Sequence, residues 1–165
     1  MDSTLAPQEI LLRLLAAVVA GGVLGVTRDL EGKPTGMRTL GLLALGAASL
    51  TTAALYLSDI QHHADAESRV IQGLIQGVLT GIGFLGAGAV LRRDGNGRIQ
   101  GLTTSANVLV VAAIGIACGV GAWWGALITT ALAFVLLVLL HPLERRLEAM
   151  AETSPKAKPA QDDKE

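Results

Sequence analysis

The sequence predicts an all-α membrane protein of five transmembrane helices, N-terminus outside and C-terminus cytoplasmic. Three observations carry that expectation. Five apolar stretches, residues 10–26, 40–57, 70–91, 102–120 and 123–140, each approach the ~20 residues that cross a bilayer as a helix. The 165 residues are 51% hydrophobic and only 16% charged, with a mean hydropathy of +0.52, which does not suit a soluble domain of this length. Basic residues also fall in alternate connections. Strands of a membrane β-barrel need about half the length of these stretches.

Orientation follows from the rule that positive charge stays on the cytoplasmic side. The first connection holds Arg28, Lys33 and Arg38, the third holds Arg92, Arg93 and Arg98, and the last segment holds Arg145 and Arg146. The second connection sets Asp59, Asp65 and Glu67 against Arg69, and the fourth, residues 119–122, is uncharged. The expected division is therefore an extracytoplasmic segment 1–9, a membrane domain 10–142 and a cytoplasmic, largely disordered tail 143–165. Pro155 and Pro159 lie in that tail, and it leaves no room for a soluble domain. The first helix is expected to be retained, because Asp2 and Glu9 precede it and Arg13 interrupts it, unlike a cleaved signal peptide. His141 and Pro142 mark the expected exit of the fifth helix.

Twenty glycines lie mostly inside these stretches, where small residues let helices approach closely. Helix three carries Gly73, Gly77 and Gly81, then Gly83, Gly86 and Gly88, which predicts tight packing within the protomer or across a dimer. Arg69, Gln72, Gln76 and Thr80 share another face of that helix, making it two-sided and central. Helix four opens Gly101-Leu102-Thr103-Thr104-Ser105-Ala106-Asn107, and Thr104, Asn107 and Cys118 fall on one ridge. Polar groups at that depth need partners, so Gln76, Thr80, Thr104 and Asn107 either bridge helices or line a ligand path. Cys118 reads as a small packing residue. Trp123, Trp124 and Tyr56 read as interfacial anchors.

Arg28, Asp29 and Arg38 bracket a connection turned by Gly32, Pro34 and Gly36. They are either snorkelling anchors or, with Arg92 and Arg93, a cluster for anionic lipid heads. Asp59, His62, His63, Asp65 and Glu67 lack a regular metal-ligand spacing and suit a solvated loop. No Ser/His/Asp set, phosphate-binding loop, paired carboxylates within a span, cofactor motif or nucleic-acid footprint is present, so neither an enzyme nor a nucleic-acid partner is expected.

Arg28-Asp29, then Gly36-Met37-Arg38-Thr39, then Gly81-Ile82-Gly83-Phe84-Leu85-Gly86-Ala87-Gly88, then Gly101-Leu102-Thr103-Thr104 resemble the MgtC/SapB family of bacterial inner-membrane proteins over roughly residues 10–140. The resemblance implies a five-helix domain in the bacterial plasma membrane, with links in some members to magnesium adaptation and to virulence. Departures are Thr27 where the family commonly has Glu, an arginine displaced to Arg69, and Leu109 where Trp is frequent. Two roles follow. One is a regulator packed in the bilayer as a homodimer or against a complex, with the F-type ATP synthase as one partner. The other is a small cation transporter or channel with Arg38, Gln76, Thr80 and Asn107 along an aqueous path.

Overall fold

A computed structural model describes residues 6–33, 35–61, 64–90 and 101–152. They form five helices and, among the described residues, no strand: α1 Pro7–Leu30, α2 Met37–Gln61, α3 Ala64–Val90, α4 Leu102–Val120 and α5 Trp123–Glu152. The all-helical expectation holds. Four helices, α1 through α4, are long and apolar enough to span a membrane, and the apolar part of α5, Trp123–Leu139, is shorter. Large aliphatic side chains such as Val19, Leu42, Leu127 and Leu139 face outward around the bundle, as bilayer contact requires.

Local chemistry sets the helix ends. Pro7 at the start of α1 costs no hydrogen bond there, because the first N–H groups of a helix have no intrahelical acceptor. Helix α1 stops at Gly32 (φ 64°), where Lys33 N–H donates to Arg28 O at 3.0 Å and Gly32 N–H to Asp29 O at 3.1 Å. Helix α4 stops in the same way at Gly121 (φ 87°), with Ala122 N–H on Ala117 O at 2.8 Å. Both are glycine-terminated Schellman ends, in which a left-handed residue lets the chain turn back on its last carbonyls.

Helix α4 is the hub, touching α1, α2, α3 and α5, whereas among the described residues α3 rests only on α2 and α4. This corrects the sequence expectation of a central helix three. The reason lies in where close approach is possible. Helix α2 offers Ala44, Ala47, Ala48 and Thr51, all buried, and the glycines that meet them belong to α1 and α4. A Cβ on Gly21 would stand 2.6 Å from Leu40 O, and one on Gly115 would stand 2.5 Å from Ala44 O. One on Gly119 would stand 2.7 Å from Thr51 Cβ. Positions Gly73, Gly77, Gly81, Gly83 and Gly88 of α3 have nothing within 4 Å of a Cβ, and Gly86 meets only Ser105 at 3.4 Å. Of the two packings expected of that stripe, within the protomer or across a dimer, the first is absent among the described residues at five of its six positions.

Leu24, Leu40, Val111, Ile114 and Cys118 fill the core between α1, α2 and α4. Cys118 is a buried free thiol in that core, in line with its reading as a packing residue. Threonine hydroxyls inside the helices bond back to their own helix: Thr51 to Ala47 O, Thr52 to Ala48 O and Thr130 to Ala126 O, at 2.7–2.8 Å. Helix α5 runs on through Pro142 to Glu152, past the exit expected at His141. The segment beyond, Leu143–Glu152, is rich in Leu, Glu, Arg and Ala, strong helix formers that offset the one donor proline removes.

Candidate functional site

Two arginines are buried in an apolar bundle, and the two are compensated very differently. Arg13 on α1 is 8% exposed; its Nη1 donates to Gly119 O at 2.8 Å, its Nη2 pairs with the carboxylate of Glu9 one turn earlier, and its Nε has no hydrogen-bond partner. Gly119 lies in the last turn of α4, whose carbonyls form the negative end of the helix dipole, so the cation has both a counter-charge and a favourable field. Arg13 did not enter the expected site. The available signal was a Glu-to-Arg step of four residues inside an apolar stretch, the spacing that pairs charges on one helix face.

Arg28, at the other end of α1, is 1% exposed and meets the opposite end of α4. Its Nη2 donates to the hydroxyl of Thr104 in the first turn of that helix. Its Nε and Nη1 have no hydrogen-bond partner. Asn107, one turn along α4 from Thr104 and 5% exposed, has an unpartnered Nδ2. Arg28, Thr104 and Asn107 thus converge on one end of the bundle as a buried polar group dominated by donors, the expected site members that the fold brings together.

Asp29 plays a different part from its neighbour. Its side chain is exposed, and Oδ2 accepts the N–H of Met37 at 2.9 Å, supplying one of the acceptors that α2 lacks at its start. A Cβ on Gly36 would lie 1.6 Å from Asp29 Oδ1, so this contact needs glycine at 36. Asp29→Ala is expected to lower stability by about 1 kcal/mol through loss of the cap. Gly36→Ala, which pushes the same carboxylate aside, is expected to add little on top of it. Thermal unfolding of the single and double variants checks this, and fully additive effects would show that the two residues act separately.

The remaining expected residues lie elsewhere. Arg38 is exposed at an apolar groove of about 640 Å³ between α1 and α2, walled by Val19, Val26, Met37 and Leu42 and floored by Gly22 and Gly41. Gln76 and Thr80 are exposed on α3, with Gln72 beside them along a shallow trough. The Thr80 hydroxyl donates to Gln76 O at 2.8 Å within its own helix. Ser105, which sequence reasoning used only as part of a helix opening, ties α4 to α3 by donating to Gly86 O at 3.0 Å. Among the described residues no cluster of three His, Cys, Asp or Glu side chains is placed to hold a metal. His62, His63, Arg92, Arg93 and Arg98 lie outside the described residues, as do the side chains of Asp59, Asp65, Glu67, Arg145 and Arg146.

Long apolar helices, an outward aliphatic surface and buried arginines in a glycine-tight core define a multi-pass membrane protein. The chain belongs to the MgtC family, whose model matches residues 14–146. It is 40% identical over 136 residues to protein SrpB of Synechococcus elongatus, covering 77% of this chain and 71% of SrpB. It is 34% identical to the Escherichia coli K12 protein named "Putative magnesium transporter YhiD", covering 84% of this chain and 64% of YhiD. It is 33% identical to protein MgtC of Salmonella typhimurium, covering 85% of this chain and 56% of MgtC. The chain thus spans little more than half the length of MgtC. No solved structure matches it.

Proposed function

We propose that this protein is a non-enzymatic membrane regulator that works by docking helix α3 against another membrane protein or a second copy of itself. The observation that carries this reading is the state of α3. Ile82 is its one buried residue among those whose side chains are described, so Gln72, Gln76 and Thr80 and the Gly73, Gly77 and Gly81 line are all uncovered. Polar side chains facing lipid are costly, and a flat glycine line beside them is the surface to which another helix comes closest. Magnesium adaptation is the physiological setting in keeping with the names of the relatives. An orientation with Arg28 and Arg38 on the cytoplasmic side follows from the charge distribution. The F-type ATP synthase is a partner suggested by the family resemblance, and a homodimer is the simplest assembly.

The transport reading asks for Arg38, Gln76, Thr80 and Asn107 along one path. Arg38 faces a groove on α1 and α2, Gln76 and Thr80 face outward from α3, and Asn107 is buried against the core. That separation favours regulation. In proteoliposomes, divalent and monovalent cation flux is expected to stay at the level of empty vesicles. Saturable flux abolished by Asn107→Ala, in protein of normal abundance, would reverse the choice. Gly77→Cys in a Cys118→Ser background is expected to give a disulfide-linked dimer, or a crosslink to a partner, in native membranes. A monomer band alone would show that α3 stays uncovered.

A further inference from the structure

We infer that the first turn of α4, together with the guanidinium of Arg28, is a binding site for a phosphate-type oxyanion. Helix α4 is 19 residues long and opens at Gly101 (φ 106°) with no side-chain cap. Its first hydrogen bond is from Ser105 N–H to Gly101 O at 2.9 Å, so the amides of Leu102, Thr103 and Thr104 lie in the turn that helix geometry leaves without acceptors. The N-cap position, Gly101, has no side chain to cap them, and the Ser105 hydroxyl is directed to Gly86 O and Gly101 O, both at 3.0 Å. Leu102 and Thr103 are exposed, which leaves this turn open to a ligand.

Arg28 supplies the second, independent observation. Its guanidinium is directed at this turn by the hydrogen bond to Thr104 and is 1% exposed, with two of its three nitrogens unpartnered. A buried, unpaired cation is costly, and here it sits at the positive end of a helix dipole, the end that repels it. The carboxylates nearby do not hydrogen-bond those nitrogens: Asp29 accepts from Met37 N–H, and Glu31 lends Arg28 a Coulomb attraction but pairs with Lys33 at 2.9 Å. Arg13 shows what compensation looks like in the same protein, with a carboxylate and a helix C-terminus on its guanidinium. Nε and Nη1 of Arg28 have neither as a hydrogen-bond partner, and the Asn107 Nδ2, one turn deeper, adds another unpartnered donor.

The helix N-terminal amides, the unpartnered guanidinium nitrogens and the Asn107 Nδ2 are all donors, gathered at the positive end of a helix dipole. A cation such as magnesium is repelled there, whereas an oxyanion neutralises Arg28 and accepts from the helix N-terminus at the same time. A phosphate is suited to this because its several oxygens serve a planar guanidinium and a row of amides together. The inference does not depend on the regulatory reading.

The test is thermal unfolding of the purified full chain in phosphatidylcholine nanodiscs. One arm titrates inorganic phosphate against sodium chloride at equal ionic strength, and the other replaces part of the phosphatidylcholine with phosphatidylglycerol. A saturable rise in the unfolding midpoint is expected in the first arm if free phosphate is the ligand, and in the second alone if a lipid headgroup is. Arg28→Gln is expected to weaken the response by about tenfold or more, the loss of a charge-assisted hydrogen bond. Arg69→Gln, which changes an exposed arginine near the start of α3, is expected to retain it. If Arg28→Gln does not fold, Thr104→Val, which frees the guanidinium from its anchor, and Asn107→Ala serve in its place and are expected to weaken the response. No rise with either phosphate source in the wild-type protein, an equal rise with chloride, or a response lost in Arg69→Gln and kept in Arg28→Gln overturns the inference.

Discussion

Gly25→Ala is expected to destabilise the protein by about 3 kcal/mol or more, and Gly25→Leu to abolish accumulation of folded protein in the membrane. A Cβ at this position would stand 2.3 Å from Met37 Cα, 2.6 Å from Met37 N and 2.9 Å from Gly36 C. All three are backbone atoms at the entry of α2, so no side chain can swing aside to make room. Relief requires α1 and α2 to separate, which also loosens Gly21 against Leu40 and the buried Leu24 between them. The intrinsic preference of a helix for Ala over Gly, about 1 kcal/mol, runs the other way and is overwhelmed. Gly46→Ala is the internal control, because its Cβ meets nothing within 4 Å and only the favourable propensity remains. Thermal unfolding in detergent compares them; equal midpoints for the two alanine variants would show that α1 and α2 do not approach as described.

Arg13→Ala is expected to cost about 2–3 kcal/mol, and Glu9→Gln somewhat less. Truncating Arg13 removes the hydrogen bond to Gly119 O, the packing of a side chain that is almost wholly buried, and the cation at the α4 C-terminus. Removing one member of a buried ion pair costs 3–5 kcal/mol, and the figure is reduced here because the Glu9 side chain is 44% exposed. Glu9→Gln keeps a hydrogen-bond acceptor but leaves Arg13 with only the helix end for compensation. The order of the two effects is the diagnostic. If Glu9→Gln were the more damaging, the carboxylate and not the α4 carbonyl would be holding Arg13 in place. Unfolding midpoints of both variants at low and high salt decide it, since only the partly exposed pair is screened.

The contrast between the two arginines bears on how the bundle tolerates charge. Both ends of α4 receive a guanidinium from α1, because the two helices run antiparallel and Arg13 and Arg28 lie about four turns apart on one face. At the C-terminal end a carboxylate and the helix carbonyls compensate the cation, with only Arg13 Nε left unpartnered. At the N-terminal end Arg28 Nε and Nη1 are unpartnered, and that end also carries Thr104 and Asn107. One relative is named a putative magnesium transporter, yet in this chain the buried group of Arg28, Thr104 and Asn107 leaves donors, not acceptors, unpartnered, which does not suit a cation. This is a further reason to expect the chain's role to lie in recognition and assembly.

The architecture was legible in the sequence because a bilayer imposes its demand locally. Each helix must satisfy its own backbone and present apolar side chains, so length and hydropathy alone mark the spans, and the described helices cover those expected from residues 10 to 140. The opening of α4 after Gly101 was legible for the same reason, since a helix start has local causes, whereas the burial of Arg28 inside the bundle was not. What only the tertiary structure decided was which faces meet. A glycine line in α3 and a glycine pair in α1 look alike in sequence, and the difference is whether an Ala-rich helix lies opposite, which is a property of α2 and not of either glycine pattern. The same holds for the arginines. The sequence shows Arg13 and Arg28 as two charges near helix ends, but whether each is compensated depends on which end of α4 it reaches, and the sign of a helix end is felt only across a contact between helices remote in the chain.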